Sequence, residues 1–317
     1  MPTPVVTVSD IQSIGILVGD RLGFTIADVE YQRLKQTINL ALERLELSCV
    51  ADYRVLLEKN PIDSAVWQQI IIALANTESY FFREWGQFDL LRSHILPELI
   101  QRRSPEKRLA LWSAGCATGE EAYSLAILLT ELIPDIETWQ ITIFGTDINT
   151  EALAIATQGE YGAWSLRRQS NVVNKYCLMS DTGSQRIKSE VRQLVKFMPL
   201  NLLESCLPDF LQNIDVILCR HVFLHFENEA IAKVLAHFRQ ALKVDGYLLT
   251  GHSELYGVPS QDFRADIFAG SMIYRPQREP ARKPPVTSLP RLQRRSPQLS
   301  QRQLYLSDPM FDLDQAI

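Results

Sequence analysis

The run LWSAGCATGEEAYSLAILL, residues 111–129, limits what this chain can fold into more than any other stretch. It reads as a buried strand at 109–112, a turn of small residues, and a helix that opens on two adjacent glutamates. A nearly continuous apolar strand belongs in a sheet covered on both faces. A strand that turns tightly into a helix is the unit of an open α/β sheet, whose ligands bind beyond the carboxyl ends of its strands. Gly115 and Gly119 fall at that end, where a missing side chain lets backbone approach a ligand.

The alternation continues through residues 107–275. A strand in TWQITIFGTDI follows a helix near 120–132, and a helix is predicted at 151–157. The strand IDVILCR leads into a helix in which Ile231, Val234, Leu235, Phe238 and Leu242 keep helical spacing. GYLLTGHS is a further buried strand after an Asp245-Gly246 turn. Strands alternating with helices imply a mostly parallel, doubly wound, Rossmann-like sheet. Residues 165–196 break the pattern, being more polar with the β-like RIKSEVRQLVKFMPL, and predict a small inserted β-subdomain.

Residues 8–75 read as an all-helical domain. Leu34, Ile38, Ala41 and Leu45 form one apolar stripe, and helices are predicted at 52–58 and 64–75 around the Asn60-Pro61 breaker. Residues 76–106 read as a linker that also touches the cleft. Residues 276–317 hold seven of the sixteen prolines and seven basic residues against four acidic ones, with scattered apolar residues, which predicts a disordered tail.

Charge says what the cleft does not hold. Pyrophosphate sits well on a helix N-terminus, but Glu120 and Glu121 would repel it, and the turn lacks both G-x-G-x-x-G and the lysine of a P-loop. A glycine turn beside carboxylates suits a nucleoside with positive charge, as S-adenosylmethionine has in its ammonium and sulfonium. Asp147, at the carboxyl edge of the next strand and 32 residues after Gly115, is placed to accept two ribose hydroxyls; its other reading is a helix cap. Arg83, after Phe81 and Phe82, offers a planar fork to a carboxylate, or else a surface cation beside packed aromatics. Asn201 and Leu202 in PLNLLE suit the edge of adenine, and Arg220, His221 and His225 follow the next strand.

Composition excludes several classes. A net charge of −5 argues against nucleic acid as a partner. No apolar run reaches the roughly 20 residues of a membrane span, and the start does not read as a signal peptide. Five cysteines without C-x-x-C suit a reducing cytoplasm and no zinc site, and the histidines show no metal-ligand spacing. A cytoplasmic protein is expected.

NTESYFFRE, SAGCATGEEAYSLA, GTDIN, LNLLE, CRHVFLHF and GYLLTGHSE, in that order over about residues 10–275, resemble the CheR-type chemotaxis receptor methyltransferases. The resemblance implies a class I S-adenosylmethionine-dependent methyltransferase sheet with an inserted β-subdomain and a helical N-terminal domain. It implies methyl transfer to glutamates in the cytoplasmic domain of a chemoreceptor or receptor-like sensor, with S-adenosylhomocysteine as product and the enzyme a monomer. Cofactor contacts carry over to Thr77, Ser79, Arg83, Glu121, Asp147, Asn201, Leu202, Arg220 and His221, beside Gly115 read from the turn itself. Arg220, His225 and Ser79 would act at the reacting end, with Arg220 steering the acceptor carboxylate or the cofactor end of the cleft.

The chain departs from the family pattern in four places. Thr77-Glu78-Ser79 replaces N-E-T, His221 replaces an asparagine, His225 replaces a tyrosine, and the usually arginine-rich helix holds only Arg33, Lys35 and Arg44. Two other readings fit these departures: a methyltransferase with a different acceptor, and a weakly catalytic cofactor-binding module that regulates a partner.

Overall fold

A computed structural model describes residues 5–167, 171–180, 183–255, 262–268 and 271–277. The predicted tail lies outside these residues, apart from Pro276 and Gln277, and Pro276 closes a strand.

The N-terminal part holds α1 (Val8–Leu22), α2 (Asp28–Arg44), α3 (Val50–Lys59) and α4 (Ala65–Leu74). Thr7 and Asp10 start α1 with a reciprocal capping box, and Gly23 ends it in the left-handed region at φ 77°. Ile14, Leu34, Ile38, Tyr53, Trp67 and Ile70 form their shared core. The Trp67 indole N–H donates to the Leu57 carbonyl at 2.9 Å, satisfying the one polar atom of a buried ring.

Residues 76–106, expected as a linker, carry α5 (Trp85–Leu90) and α6 (Leu96–Arg103), joined by one π turn over Leu91–Ile95. Phe88, Leu91, Leu96 and Leu99 are buried in the core of the sheet domain, so this segment is one of its covering layers.

The sheet domain runs β1 (Arg108–Ala114), α7 (Glu120–Leu132), β2 (Gln140–Asp147), α8 (Thr150–Gln158), β3 (Glu160–Tyr161), α9 (Asn171–Lys175), β4 (Cys177–Met179), β5 (Gln185–Ile187), α10 (Ser189–Arg192), β6 (Val195–Pro199), β7 (Ile214–Cys219), α11 (Asn228–Ala241), β8 (Leu242–Thr250), β9 (Phe263–Phe268) and β10 (Ser271–Pro276). The main sheet has the order β6-β2-β1-β7-β8-β10-β9. β6 through β8 are parallel, and β10 and β9 are antiparallel. Successive residues serve opposite layers: Leu111 packs with α7 and Trp112 with α11.

The chain leaves β1 toward β2 on one side and later returns to add β7 on the other. That makes the carboxyl ends of β1 and β7 the switch point where doubly wound sheets bind ligands.

Three local expectations are corrected. The small sheet, β3-β5-β4, lies within residues 160–187, and Val195–Pro199, which overlaps the end of the range expected for the subdomain, is the edge strand of the main sheet. Apolar alternation alone does not separate an edge strand from a neighbouring small sheet. β8 runs through Asp245-Gly246, where a turn was expected, because Gly246 lets the strand pass the Asp215 carbonyl; a Cβ there would lie 3.0 Å from that oxygen. The β9–β10 pair was not anticipated.

Candidate active site

Loops after β1, β2, β6 and β7 meet residues 76–83 and residues 22–26 of the helical domain around one cleft of about 1200 Å³, open mouth included. Its lining brings together Thr77, Ser79, Arg83, Gly115, Glu121, Asp147, Asn201, Leu202, Arg220, His221 and His225, but not Gly119 or Glu120. Leu22, Phe24, Ile26 and Glu30 of the helical domain complete the wall.

The floor is the turn after β1. Gly115 sits at φ 75°, and a Cβ there would lie 2.5 Å from Val222 Cγ2, so the turn and the β7 loop are in direct contact. The Gly115 and Cys116 N–H groups both donate to the Thr146 carbonyl, at 2.8 and 2.9 Å. Ala117, at φ 47°, donates its N–H to Asp147 Oδ2 at 2.8 Å, and the Asn149 N–H donates to Oδ1 at 2.9 Å. Burial pushes the Asp147 carboxyl up, and the backbone donors of Asn149, Ala117 and Ile148 pull it partly back. A carboxylate fixed by backbone at the edge of β2 is ready to accept hydroxyls without reorienting.

The two glutamates that open α7 do different work. Glu121 lines the cleft, accepting from Ser113 Oγ at 2.7 Å and Arg220 Nε at 2.6 Å. Glu120, expected to face the ligand too, is buried on another side, accepting from Thr118 Oγ1 at 2.6 Å and Ser165 Oγ at 2.7 Å. Consecutive helical positions point roughly 100° apart, so one carboxylate serves the cleft and its neighbour holds the loop that follows β3.

Arg220, expected to steer the acceptor, is 2% exposed at its side chain. Its Nε serves Glu121, and its Nη1 donates to the Arg83 carbonyl at 2.8 Å and Gln87 Oε1 at 3.1 Å, near Glu84. The guanidinium lies 5.0 Å from the Phe88 ring centre. A buried cation already matched by Glu121 and Glu84 is poorly placed to receive a mobile carboxylate, and of the two expected roles its contacts favour the cofactor end of the cleft.

His221 sits at φ 62° with Nε2 3.2 Å from Glu84 Oε1. The buried Glu254 carboxylate holds this loop, accepting the N–H groups of Gly251 at 2.6 Å and of His221 and Phe223 at 3.0 Å each. Ala117 and His221, both lining the cleft, are thus non-glycine residues in a sparsely populated backbone region, as at many working sites.

Asn201 was expected at the adenine edge. It lines the cleft, its amide donating to the Arg21 carbonyl at 2.8 Å and its Oδ1 accepting the Leu203 N–H at 3.1 Å. Arg83 donates from Nη1 to the Glu78 carbonyl at 2.6 Å. The His225 carbonyl accepts from the Thr25 N–H at 2.7 Å, tying the β7 loop to the helical domain.

The donor set fits S-adenosylmethionine: two anchored carboxylates for an ammonium and a ribose, a side-chain-free floor, and apolar walls at Leu22, Ile26, Leu200 and Leu202 for a base. A doubly wound sheet with this cleft at its switch point, lined by anchored carboxylates, fits the class of S-adenosylmethionine-dependent methyltransferases. The pattern of the "CheR methyltransferase, SAM binding domain" matches residues 77–266, and the chain belongs to the CheR methyltransferase family. It is 34% identical over 208 residues to chemotaxis protein methyltransferase 2 of Vibrio cholerae, covering 65% of this chain and 72% of that protein. It is 34% identical over 248 residues to the chemotaxis protein methyltransferase of Escherichia coli K12, covering 76% and 82%. A probable chemotaxis protein methyltransferase of Rhizobium etli is 32% identical over 238 residues, covering 74% and 86%.

The sequence reading missed the supporting residues Gln68, Glu84, Gln87 and Glu254. Glu84 and Glu254 do stand inside motifs it singled out, FFRE and GHSE.

Proposed function

We propose that this protein transfers a methyl group to glutamate side chains in the cytoplasmic part of a chemoreceptor or receptor-like sensor, acting in the cytoplasm as a monomer. The observation that carries the reading is the division of the cleft. Asp147 and Glu121 are held by backbone, Ser113 and Arg220, while Thr77, Ser79, Arg83 and His225 line it from other segments. The names of the relatives, all chemotaxis methyltransferases, support the same acceptor. Among the described residues no helix is long and apolar enough to cross a membrane, which suits an enzyme that visits a receptor.

S-adenosylmethionine supplies an activated methyl group when bound. A glutamate carboxylate is already ionised at pH 7, so no general base is needed. What the residues contribute is orientation and exclusion of water, worth up to roughly 7–11 kcal/mol for well-aligned groups. In this reading Asp147 accepts the ribose hydroxyls and Glu121 receives the cationic end. Gly115 lets the backbone come close, and His221 and Leu202 flank the nucleoside. Ser79, Thr77, Arg83 and His225 surround the acceptor carboxylate, and Arg220 acts through Glu121.

The test is incubation with tritiated cofactor and receptor-bearing membranes, followed by mild base. Label released as volatile methanol from a membrane protein supports the reading. Label that resists base assigns a different acceptor, and tight cofactor binding without any transfer assigns a regulatory module.

A further inference from the structure

Gln68 lies in α4 among Trp67, Ile70, Ile71 and Leu74, and is 8% exposed. A buried amide in an apolar helix is costly unless every donor and acceptor is matched. Here they are matched across the boundary between the helical and sheet parts. Nε2 donates to the Ile148 carbonyl at 3.0 Å and the Ile62 carbonyl at 3.3 Å. Oε1 accepts the Thr150 N–H at 3.0 Å and the Thr150 hydroxyl at 2.9 Å. The bonds at Ile148 and Thr150 bracket Asn149, whose N–H donates to Asp147 Oδ1 and whose side chain caps α8.

We propose that Gln68 is a positioning residue for the cofactor: from the helical domain it fixes the loop that orients Asp147, and so couples cofactor affinity to the contact between the two parts. The inference rests on the assignment of Asp147 to the cofactor. The other cleft loops also touch the helical domain, through Asn201 on the Arg21 carbonyl and the Thr25 N–H on the His225 carbonyl. Gln68 differs in that its side chain reaches the loop of the anchored carboxylate. Coupling of this kind is reciprocal. A partner that docks on the helical domain and shifts α4 changes cofactor affinity by the same factor that the cofactor changes the partner's.

The test is calorimetric titration of S-adenosylhomocysteine into full-length wild type, Gln68→Met and Asp147→Ala, with steady-state methyl transfer for the first two. Methionine keeps the length and bulk of glutamine and removes all four hydrogen bonds. Gln68→Met is expected to weaken the product about tenfold and to raise KM for S-adenosylmethionine by a similar factor, with kcat at saturation within about twofold. Wild-type affinity in Gln68→Met beside a weakened Asp147→Ala overturns this inference alone. Unchanged affinity in Asp147→Ala overturns the cofactor assignment beneath it. A fall in kcat with KM unchanged also overturns it. Should Gln68→Met fail to fold, Thr150→Val removes one bond at the loop side and is expected to weaken the product about threefold; no change there overturns the proposal.

Discussion

Arg220 Nε and Glu121 Oε2 lie 2.6 Å apart, joining the loop after β7 to the first turn of α7 across the switch point of the sheet. Ser113 Oγ holds the other carboxylate oxygen at 2.7 Å. Glu121 is thus immobilised before a ligand arrives, and a fixed anion stabilises a cation without reorganisation.

Removing the cation tests that pairing. Arg220→Met leaves Glu121 and Glu84 beside each other with no arginine between them. The loss of one partner from a buried ion pair costs about 3–5 kcal/mol. Urea unfolding should show a destabilisation of that order; a change below about 1 kcal/mol would mean that solvent already screens the pair.

Glu84 predicts an acid limb. Burial raises its carboxyl, but His221, Arg220 and His252 together outweigh burial and leave it at about 2, against an ordinary 4.5. A carboxyl lowered on folding adds stability that is present above its unfolded value and is lost as pH falls through the folded one. Glu84 should therefore add stability above pH 4.5 that is lost between pH 4.5 and about 2. Glu84→Gln should lower stability at pH 7 and flatten the curve in that window. Parallel wild-type and variant curves would remove Glu84 from the account.

Asp147 predicts the opposite displacement in binding. Its carboxyl is raised, with burial the largest cause. Ribose hydroxyls donate to the ionised form, so a proton must leave before the ligand binds. Affinity for S-adenosylhomocysteine should weaken as pH falls, beginning above the ordinary aspartate value near 3.9, and Asp147→Asn should bind weakly with little pH dependence. A wild-type affinity that holds down to about pH 4 would contradict it.

Gly115→Ala should be damaging for two separable reasons. The backbone sits at φ 75°, and the new Cβ would meet Val222 Cγ2 at 2.5 Å. Strain and overpacking together cost about 2–4 kcal/mol. Adding Val222→Ala should recover the packing share and leave the backbone share. Full recovery, measured by urea midpoints, would show that the φ value carries no cost.

What could be read in the sequence was local. Gly115, Glu121 and Asp147 stand at strand ends, where a turn and a helix start declare themselves through residue type alone. The same logic failed one residue away. Glu120 looks identical to Glu121 in a linear reading, and only the rotation of α7 turns it toward Ser165. Arg220 was visible as a cleft residue but not as a saturated one, because Glu121, Glu84 and Gln87 are remote in sequence. Gln68 gave no signal, since a lone polar residue in an apolar helix declares its partners only after the helix packs against the loop at 148–150. The bond from Asn201 to the Arg21 carbonyl was hidden for a related reason, because that carbonyl comes from the helical domain, remote in sequence.

Delivery of a methyl group from this cleft to a protein carboxylate can be read by mass spectrometry of a chemoreceptor cytoplasmic fragment incubated with the protein and S-adenosylmethionine. Peptides should be heavier by one CH2 at glutamate, revert under mild base, and be absent when Asp147→Ala replaces wild type. Base-stable methylation at another residue type, or equal methylation by Asp147→Ala, would contradict it.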